Sequence, residues 1–204
     1  MKDFKQVDII DCQIGNLGSV INLIKKLSFD INLVKNSKDF TNSKKIILPG
    51  VGHFDQCIKN LRQNDIYDKL KEKIYSNNIF FLGICVGMQV LFSSSEEGQE
   101  TGFGKFNGNV KKFNSENNNF KVPHMGWNNL KSKNNIFEIE NINRAYFCHS
   151  YYANCYDDTD VISSTIHGIE FPSIIGKDKI FGFQFHPEKS YKTGENLIKQ
   201  FLNL

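Results

Sequence analysis

The sequence predicts an α/β fold in which helices cover both faces of a mostly parallel sheet. Short apolar runs of strand length alternate with segments whose apolar residues recur every three or four positions, as on one face of a helix. Candidate functional residues follow the ends of several runs, where α/β sheets hold their ligands. We expect one domain over residues 1–204, because no repeat, long linker or domain break divides the chain.

The elements of the first half follow from these two periodicities. Strands are predicted at residues 7–10, 31–34, 46–48 and 79–84, the third of them stopped by Pro49 and Gly50. Helices are predicted in the intervening segments, from Leu17 to Leu27, from Phe54 to Arg62 and across Ile66 to Ile74. This alternation of strands and helices is the pattern that favours a parallel sheet.

The second half of the chain changes character. Residues 102–113 alternate loosely and suggest a hairpin, and the Asn-rich segment at 114–119 suggests an exposed turn. Further strands are predicted at residues 145–149, 161–165, 174–177 and 180–185, the last of which ends directly at His186. A final helix is predicted from Thr193 to Leu204, with one apolar face.

Composition excludes several classes of function. A net charge of +3 without a dense Lys/Arg cluster argues against nucleic-acid binding. No apolar run approaches the roughly 18 residues that span a bilayer, so no membrane association is expected. The five cysteines form neither an even framework nor a Cys-x-x-Cys pair, which favours a reducing cytoplasm and argues against a metal site.

A cysteine between two glycines marks a candidate active site. Residues 83–87 read Gly-Ile-Cys-Val-Gly and lie between a buried strand and a predicted helix. This is the cysteine counterpart of a nucleophile elbow, a tight turn in which neighbouring backbone passes close to the reactive side chain. The helix that begins after Cys85 offers free N–H groups and a positive dipole end, which favour thiolate over thiol. Cys85 is therefore the candidate nucleophile.

His186 and Glu188 are the candidate base and its orienting carboxylate. They flank Pro187, and alternate residues of an extended segment point the same way, so the carboxylate can hold one imidazole nitrogen. His186 would help to activate Cys85 and would later give a proton to a leaving nitrogen. Residues 49–52, Cys85 and His186 each follow a predicted strand, so one edge of the sheet is expected to gather them.

Two further features lie near the candidate nucleophile. The Pro-Gly-Val-Gly turn at residues 49–52 either presents its N–H groups to an oxyanion or only reverses the chain, and the sequence leaves both interpretations open. Gln89 lies one helical turn after Cys85, so its side chain is expected to reach the same pocket.

These residues carry a resemblance to a known family. Residues 83–89 and the His-Pro-Glu sequence at 186–188 resemble class I glutamine amidotransferases. Four further segments, at residues 48–52, 122–128, 146–152 and 185–190, are similar to the glutaminase subunits of imidazole glycerol phosphate synthases. The Pro-His-Met-Gly-Trp-Asn sequence at 123–128 is the most specific of these, although its residues alone predict only an aromatic turn.

The resemblance implies a flavodoxin-like class I amidotransferase fold with additional antiparallel strands, and a thioester mechanism. Cys85 would attack the side-chain amide of L-glutamine, His186, oriented by Glu188, would protonate the departing ammonia, and water would release glutamate. No cofactor is implied. The resemblance assigns an oxyanion loop to Gly50, Val51 and Gly52, and substrate contacts to Gln89, Glu97, Ser150 and Tyr151.

The resemblance also implies a partner. Met125, Trp127 and Lys189 match surface near a (β/α)₈ cyclase subunit, which would form a heterodimer with this chain and receive its ammonia. The products would be imidazole glycerol phosphate and AICAR, in histidine biosynthesis.

One departure leaves the pathway open. The family usually has Asp-Tyr-Gly after its first strand, where this chain has Asp11, Cys12 and Gln13. Related glutaminases supply ammonia for sugar amidination in surface-polysaccharide synthesis, and this is the alternative pathway.

Two other classes of function fit the sequence less well. A non-catalytic binding module on the same fold would not need Cys85, His186 and Glu188 together. A cysteine peptidase is disfavoured by Gln89 and by the specific sequence at residues 123–128.

Overall fold

The computed structural model describes residues 5–15, 17–114, 120–139 and 144–204. The strands, in chain order, are β1 (Gln6–Ile10), β2 (Asp30–Val34), β3 (Lys45–Gly50), β4 (Phe80–Cys85), β5 (Gly108–Lys112), β6 (His124–Asn129), β7 (Lys131–Ser132), β8 (Arg144–His149), β9 (Tyr151–Cys155), β10 (Val161–His167), β11 (Ile169–Lys177) and β12 (Ile180–Phe183). The helices are α1 (Leu17–Lys26), α2 (Phe54–Gln63), α3 (Ile66–Tyr75), α4 (Val86–Gln89) and α5 (Tyr191–Asn203).

The main sheet has eight strands in the order β2-β1-β3-β4-β12-β11-β10-β7. From β2 to β12 all neighbours pair in parallel, and from β12 to β7 they pair antiparallel. Two small antiparallel sheets, β5 with β9 and β6 with β8, complete the molecule. The predicted α/β class, with a mostly parallel central sheet and extra antiparallel strands, is confirmed.

The inner parallel strands β3, β4 and β12 are mostly apolar and buried, as expected where a parallel sheet is covered on both faces. In β3 the residues Ile46, Ile47 and Leu48 are buried, and every residue of β12 is buried. Helix α5 buries one apolar face, formed by Leu197, Ile198, Phe201 and Leu202. None of the helices in the described ranges combines the length and the apolar character needed to cross a membrane.

Several predicted boundaries need correction. Strand β3 continues through Pro49 to Gly50, since these residues still pair with Ile84 and Cys85 of β4. The segment at 180–185 is a strand only as far as Phe183. The sequence at 124–129 is strand β6 and not a turn. Of the predicted Asn-rich turn, residues 115–119 lie outside the described residues.

The predicted hairpin at residues 102–113 is wrong. Only β5 forms a strand there, and its partner is β9, which lies much later in the chain. Gly108 begins this pairing with a φ of +145°, and a Cβ at this position would lie 2.2 Å from the carbonyl oxygen of Asn154. The pairing therefore starts where a glycine lets the two backbones approach closely. The alternation of apolar and polar residues at 102–113 does not identify β9 as the partner strand.

The turn after β4 depends on two glycines. A Cβ on Gly83 would lie 2.1 Å from the carbonyl oxygen of Gly87, and a Cβ on Gly87 would lie 2.0 Å from the carbonyl oxygen of Leu48. Both contacts are with backbone atoms, which have little freedom to move in a packed sheet. The start of α4 therefore lies directly against β3 and β4.

We expect Gly87→Ala to destabilise the protein by more than about 3 kcal/mol, because the added methyl group overlaps a strand carbonyl. Thermal unfolding followed by circular dichroism measures the change. The control is Gly18→Ala on the exposed side of α1, which should be neutral or stabilising by up to about 1 kcal/mol. Equal melting temperatures for the two variants would contradict the close packing of α4.

Candidate active site

Cys85 is the last residue of β4 and lies at the carboxyl end of the parallel strands. Its backbone has a φ of 55° and a ψ of −109°, a combination that non-glycine residues rarely adopt. Helix α4 begins at the next residue, so the backbone turns sharply at Cys85. This backbone conformation is that of a nucleophile elbow, as the Gly-Ile-Cys-Val-Gly sequence predicts.

The pairing of β12 with β4 brings the chain near His186 to Cys85. These strands are parallel neighbours, with Phe183 opposite Ile84, so the residues after β12 continue beside the elbow. His186 is buried, with 1% of its surface exposed, and its Nδ1 lies 2.9 Å from Oε1 of Glu188. Backbone bonds fix this segment, since the N–H of His186 donates to the carbonyl of Tyr146 over 2.8 Å.

The charge of His186 depends on these two neighbours. Burial alone would lower the pKa of His186, but the nearby side chains of Cys85 and Glu188 raise the pKa to about 10. Of the two, only Glu188 is hydrogen-bonded to the ring, and Nε2 is buried without a hydrogen-bond partner among the described residues. The imidazole is therefore protonated near neutral pH. An imidazolium next to Cys85 favours the thiolate, which is the nucleophilic form of the side chain.

The loop after β3 lies next to the elbow. Gly50 pairs in register with Cys85, and Val51 and Gly52 follow at the carboxyl end of the sheet. Gly52 has a φ of +118°, and Val51 is partly exposed. Gly15 supports the loop from the other side, because a Cβ there would lie 2.9 Å from Cβ of Val51. The structure thus brings the candidate oxyanion loop to the candidate nucleophile, Cys85.

Gln89, at the end of α4, is buried one helical turn after Cys85. Its Nε2 donates to the carbonyl oxygen of Tyr151 over 2.9 Å and to Oε1 of Gln184 over 3.1 Å. Both N–H groups of the Gln89 amide therefore have partners, and its Oε1 is the atom left to accept a hydrogen bond from a substrate.

Glu97, Ser150 and Tyr151 lie where α2, β5 and β9 meet. Oε2 of Glu97 accepts a 2.7 Å hydrogen bond from the N–H of Phe54, the first residue of α2. The carbonyl of Ser150 accepts from the N–H of Phe113 over 3.0 Å. Partial burial, then the charges of Glu97 and of Glu96, raise the pKa of Tyr151. The charge of Glu97 therefore acts on the Tyr151 side chain. The backbone carbonyl of Tyr151 accepts a hydrogen bond from Gln89.

An exposed group of side chains, called here the aromatic patch, lies on β6, on β8 and around the start of α5. Met125 is 62% exposed, Trp127 is 38% exposed, and Tyr191 is 80% exposed. The rings of Trp127 and Tyr191 stack with centroids 5.3 Å apart, and Nζ of Lys189 lies 5.5 Å from the ring centroid of Tyr146. Lys189, which belongs to the patch, directly follows Glu188. The patch therefore lies next to the candidate triad.

Sequence reasoning missed Gln184. This side chain is fully buried, and its Nε2 lies 3.8 Å from Sγ of Cys85. The available signal was a single amide between Phe183 and Phe185, in a run that otherwise reads as an apolar strand. A buried polar side chain in such a run needs a partner, and here the partners are Gln89 and Cys85.

Sequence reasoning also missed a pair of buried histidines. His149 Nδ1 lies 2.8 Å from the carbonyl of Tyr151, and His149 Nε2 lies 3.0 Å from His124 Nδ1. Nδ2 of Asn128 lies 3.2 Å from His124 Nε2. Since the carbonyl only accepts, His149 carries its proton on Nδ1 and accepts at Nε2 from His124, which in turn accepts from Asn128. Both rings are neutral in this arrangement.

Burial controls the titration of these two histidines. It lowers the pKa of His149 to about 3 and that of His124 to about 4, and repulsion from neighbouring histidines acts in the same direction. In the part of the chain that the structure describes, no three His, Cys, Asp or Glu side chains are placed to hold a metal ion. The histidines serve as links in a hydrogen-bond chain.

Comparison with known proteins identifies the family. Residues 8–204 match the family described as Glutamine amidotransferase class-I. The chain is 42% identical to imidazole glycerol phosphate synthase subunit HisH of Leptospira interrogans, over 97% of this chain and 100% of the relative. It is 43% identical to subunit HisH 2 of Methanococcus maripaludis, over 96% and 98%. The chain belongs to the class I glutamine amidotransferases, in the HisH group.

The predicted resemblance is thus confirmed, and so is the family fold. The structure of PurLQS from Thermotoga maritima superposes on this amidotransferase with a TM-score of 0.75, covering 97% of each chain at 18% identity. An identity this low supports the fold alone.

We expect His149→Gln to reduce the loss of stability on acidification. The pKa of His149 is about 3 in the folded chain and 6.5 in the unfolded chain, so between these values the unfolded chain binds more protons and stability falls as pH falls. From pH 7 to pH 5 this amounts to on the order of 2 kcal/mol, which the variant should lose. Urea unfolding at the two pH values measures it.

The control for this experiment is Ser173→Ala, which removes a buried hydroxyl and no titratable group. It should keep the pH dependence of the unaltered protein. A His149→Gln variant with that same pH dependence would show that His149 is not held in the neutral form.

Proposed function

We propose that the protein hydrolyses L-glutamine and supplies the ammonia to a (β/α)₈ cyclase subunit, which makes imidazole glycerol phosphate and AICAR in histidine biosynthesis. The observation that carries the proposal is the placement of Cys85, His186 and Glu188 at one strand edge in a chain of the HisH group. A thiolate, a general acid and an orienting carboxylate are what amide hydrolysis through a thioester requires.

The first half-reaction forms the thioester. Sγ of Cys85 attacks the side-chain carbonyl carbon of glutamine, and the oxyanion that forms faces the loop of Gly50, Val51 and Gly52. Each N–H donor placed at that oxygen contributes roughly 3–4 kcal/mol to the rate. His186 then gives its proton to the departing nitrogen, while Glu188 keeps the ring oriented. Ammonia leaves and the glutamyl group stays on the sulfur.

The second half-reaction releases glutamate. His186, now neutral, takes a proton from a water molecule, which attacks the thioester carbon, and the thiolate departs. Gln89, Glu97, Ser150 and Tyr151 are proposed to hold the amino-acid end of the substrate. Two observations support these contacts: the Oε1 of Gln89 remains available to accept a hydrogen bond, and Glu97 is close enough for its charge to act on Tyr151.

The aromatic patch is the proposed binding surface for the cyclase subunit in a heterodimer. Met125 and Trp127 are large exposed apolar side chains on one strand, and such side chains, with a nearby cation like Lys189, are typical of the centres of protein interfaces. Because the patch lies next to the triad, a cyclase bound there would receive ammonia without its release to solvent.

The remaining parts of the proposal concern the whole chain. We infer one amidotransferase type 1 domain over residues 1–204, without a cofactor, in the cytoplasm, and with no nucleic-acid or membrane partner. The match over residues 8–204 and the single main sheet support one domain. The five free cysteines are compatible with a reducing compartment.

We expect Cys85→Ala to abolish glutamine-dependent synthesis by the complex and to leave ammonia-dependent synthesis intact, because only the first requires the sulfur. Consumption of the histidine-pathway nucleotide, with glutamine or with ammonium salt, measures the two activities. Cys155→Ala, on β9 and outside the triad, is the control and should keep both. Equal loss of both activities in Cys85→Ala would contradict the nucleophile role.

The same assay assigns the pathway when the organism's own candidate cyclase subunits are supplied one at a time. Consumption of the histidine-pathway nucleotide with one of them supports the proposal. Ammonia transfer only to a sugar acceptor would assign the chain to surface-polysaccharide synthesis. Cleavage of casein without hydrolysis of glutamine would overturn the glutaminase function itself.

We expect Trp127→Ala to weaken binding of the cyclase subunit at least 30-fold, which corresponds to the loss of about 2 kcal/mol at an interface centre. Isothermal titration calorimetry with the purified subunits measures this affinity. Tyr156→Ala is the matched control, because Tyr156 is 63% exposed but lies after β9 and outside the aromatic patch. Equal affinities for both variants would place the interface elsewhere.

A further inference from the structure

We infer that Gln184 is a further residue of the catalytic machinery, which directs an N–H dipole at the sulfur of Cys85 and holds it as a thiolate. Its amide is oriented by the hydrogen bond from Gln89. The residue proposed to bind the substrate therefore also influences the protonation of Cys85. This inference rests on the proposed glutaminase function for its catalytic meaning. The contact itself is a matter of geometry and can be tested separately.

The orientation of both amides follows from one fixed acceptor. The carbonyl oxygen of Tyr151 can only accept, so the atom of Gln89 that lies 2.9 Å from it must be Nε2. The same nitrogen lies 3.1 Å from the side chain of Gln184, which must therefore present Oε1 to it. The remaining end of Gln184 is Nε2, which lies 3.8 Å from Sγ of Cys85.

The surroundings prevent Gln184 from turning over. Its side chain is fully buried, and its backbone N–H donates to the carbonyl of Ser173 over 2.9 Å, which fixes the chain beside β11. If the amide turned by half a rotation, its nitrogen would face the nitrogen of Gln89 and its oxygen would face the sulfur. Two donors would then face each other and an acceptor would face a thiolate, both without compensation in a buried site.

The acceptor at Tyr151 is itself held by the histidine pair. His149 donates to the same carbonyl oxygen over 2.8 Å, and His124 donates to His149 over 3.0 Å. Both histidines are neutral, so each ring has one N–H donor and one acceptor nitrogen, which fixes the direction of the hydrogen bonds. The hydrogen-bond chain therefore runs from His124, the first residue of β6, through Tyr151 and Gln89 to Gln184, and it ends at the sulfur.

An N–H directed at sulfur favours thiolate over thiol, because the partial positive charge interacts with an anion more strongly than with a neutral group. The other groups that face Cys85 are the imidazolium of His186, with Glu188 behind it, and the loop at Gly50. His149, which lies within electrostatic reach of His186, is neutral. Gln184 is thus an uncharged N–H donor to the sulfur.

The test is the pH dependence of Cys85 alkylation by iodoacetamide in the full-length chain, read by mass spectrometry of the peptide that contains Cys85. Gln184→Met keeps the volume and removes the donor, and it should move the alkylation midpoint upward by about 0.5–1 pH unit. Gln184→Glu, which places an acceptor or an anion at the sulfur, should move the midpoint further upward.

A second variant separates orientation from packing. Gln89→Met leaves Gln184 in place but frees its amide, so it should also raise the alkylation midpoint, in the absence of glutamine. The double variant should shift the midpoint no more than Gln184→Met alone, because both changes remove the same interaction. Ser173→Ala is the control: it removes a buried hydroxyl that bonds Ser163 on β10, and it should leave the midpoint unchanged.

The outcomes distinguish the inference from the proposed function. An unchanged midpoint in folded Gln184→Met, or in Gln89→Met if the first variant does not fold, would overturn the role of Gln184. A raised midpoint in a protein that does not hydrolyse glutamine would refute the glutaminase function and leave the contact standing. A raised midpoint together with a glutamine-dependent rate that falls at neutral pH and recovers at higher pH supports both.

Discussion

The parallel pairing of β4 with β12 is the constraint on which the rest of the site depends. It sets the end of one strand, at Cys85, beside the continuation of the other, which leads to His186. Cys85 must then reverse the chain with a φ of 55° and a ψ of −109°, and this strained turn persists because β3, β4 and α4 touch through backbone at Gly83 and Gly87. The reactive geometry is thus held by the packing of the sheet.

The same degree of burial gives opposite charge states to two histidines of this site. His149 and His186 are both nearly inaccessible, yet the pKa of His149 falls to about 3 while that of His186 rises to about 10. The difference lies in the partners, because His149 faces a carbonyl and another imidazole, whereas His186 faces the carboxylate of Glu188 and is influenced by the sulfur of Cys85. Burial lowers the pKa of both histidines, and at His186 the partners outweigh it.

The sequence was most informative where structure depends on local pattern. Apolar periodicity predicted the parallel strands and the main helices, and glycine spacing predicted the elbow at Cys85. It failed for β5, whose partner β9 is distant in the chain, because pairing between distant strands leaves no local trace. It also missed Gln184 and His149, since a buried polar side chain looks like an ordinary strand residue until its partners are known.

The departure from the family pattern after β1 contacts the strand that leads to the proposed oxyanion loop. The thiol of Cys12 donates to the carbonyl of Pro49 over 3.1 Å, and Asn60 of α2 donates to the carbonyl of Cys12 over 2.7 Å. Cys12 therefore links α2 to the residue that precedes Gly50. The nearby side chain of Cys57, on α2, is the main cause that lowers the pKa of Cys12. A change at position 12 is therefore expected to alter the support of the proposed oxyanion loop.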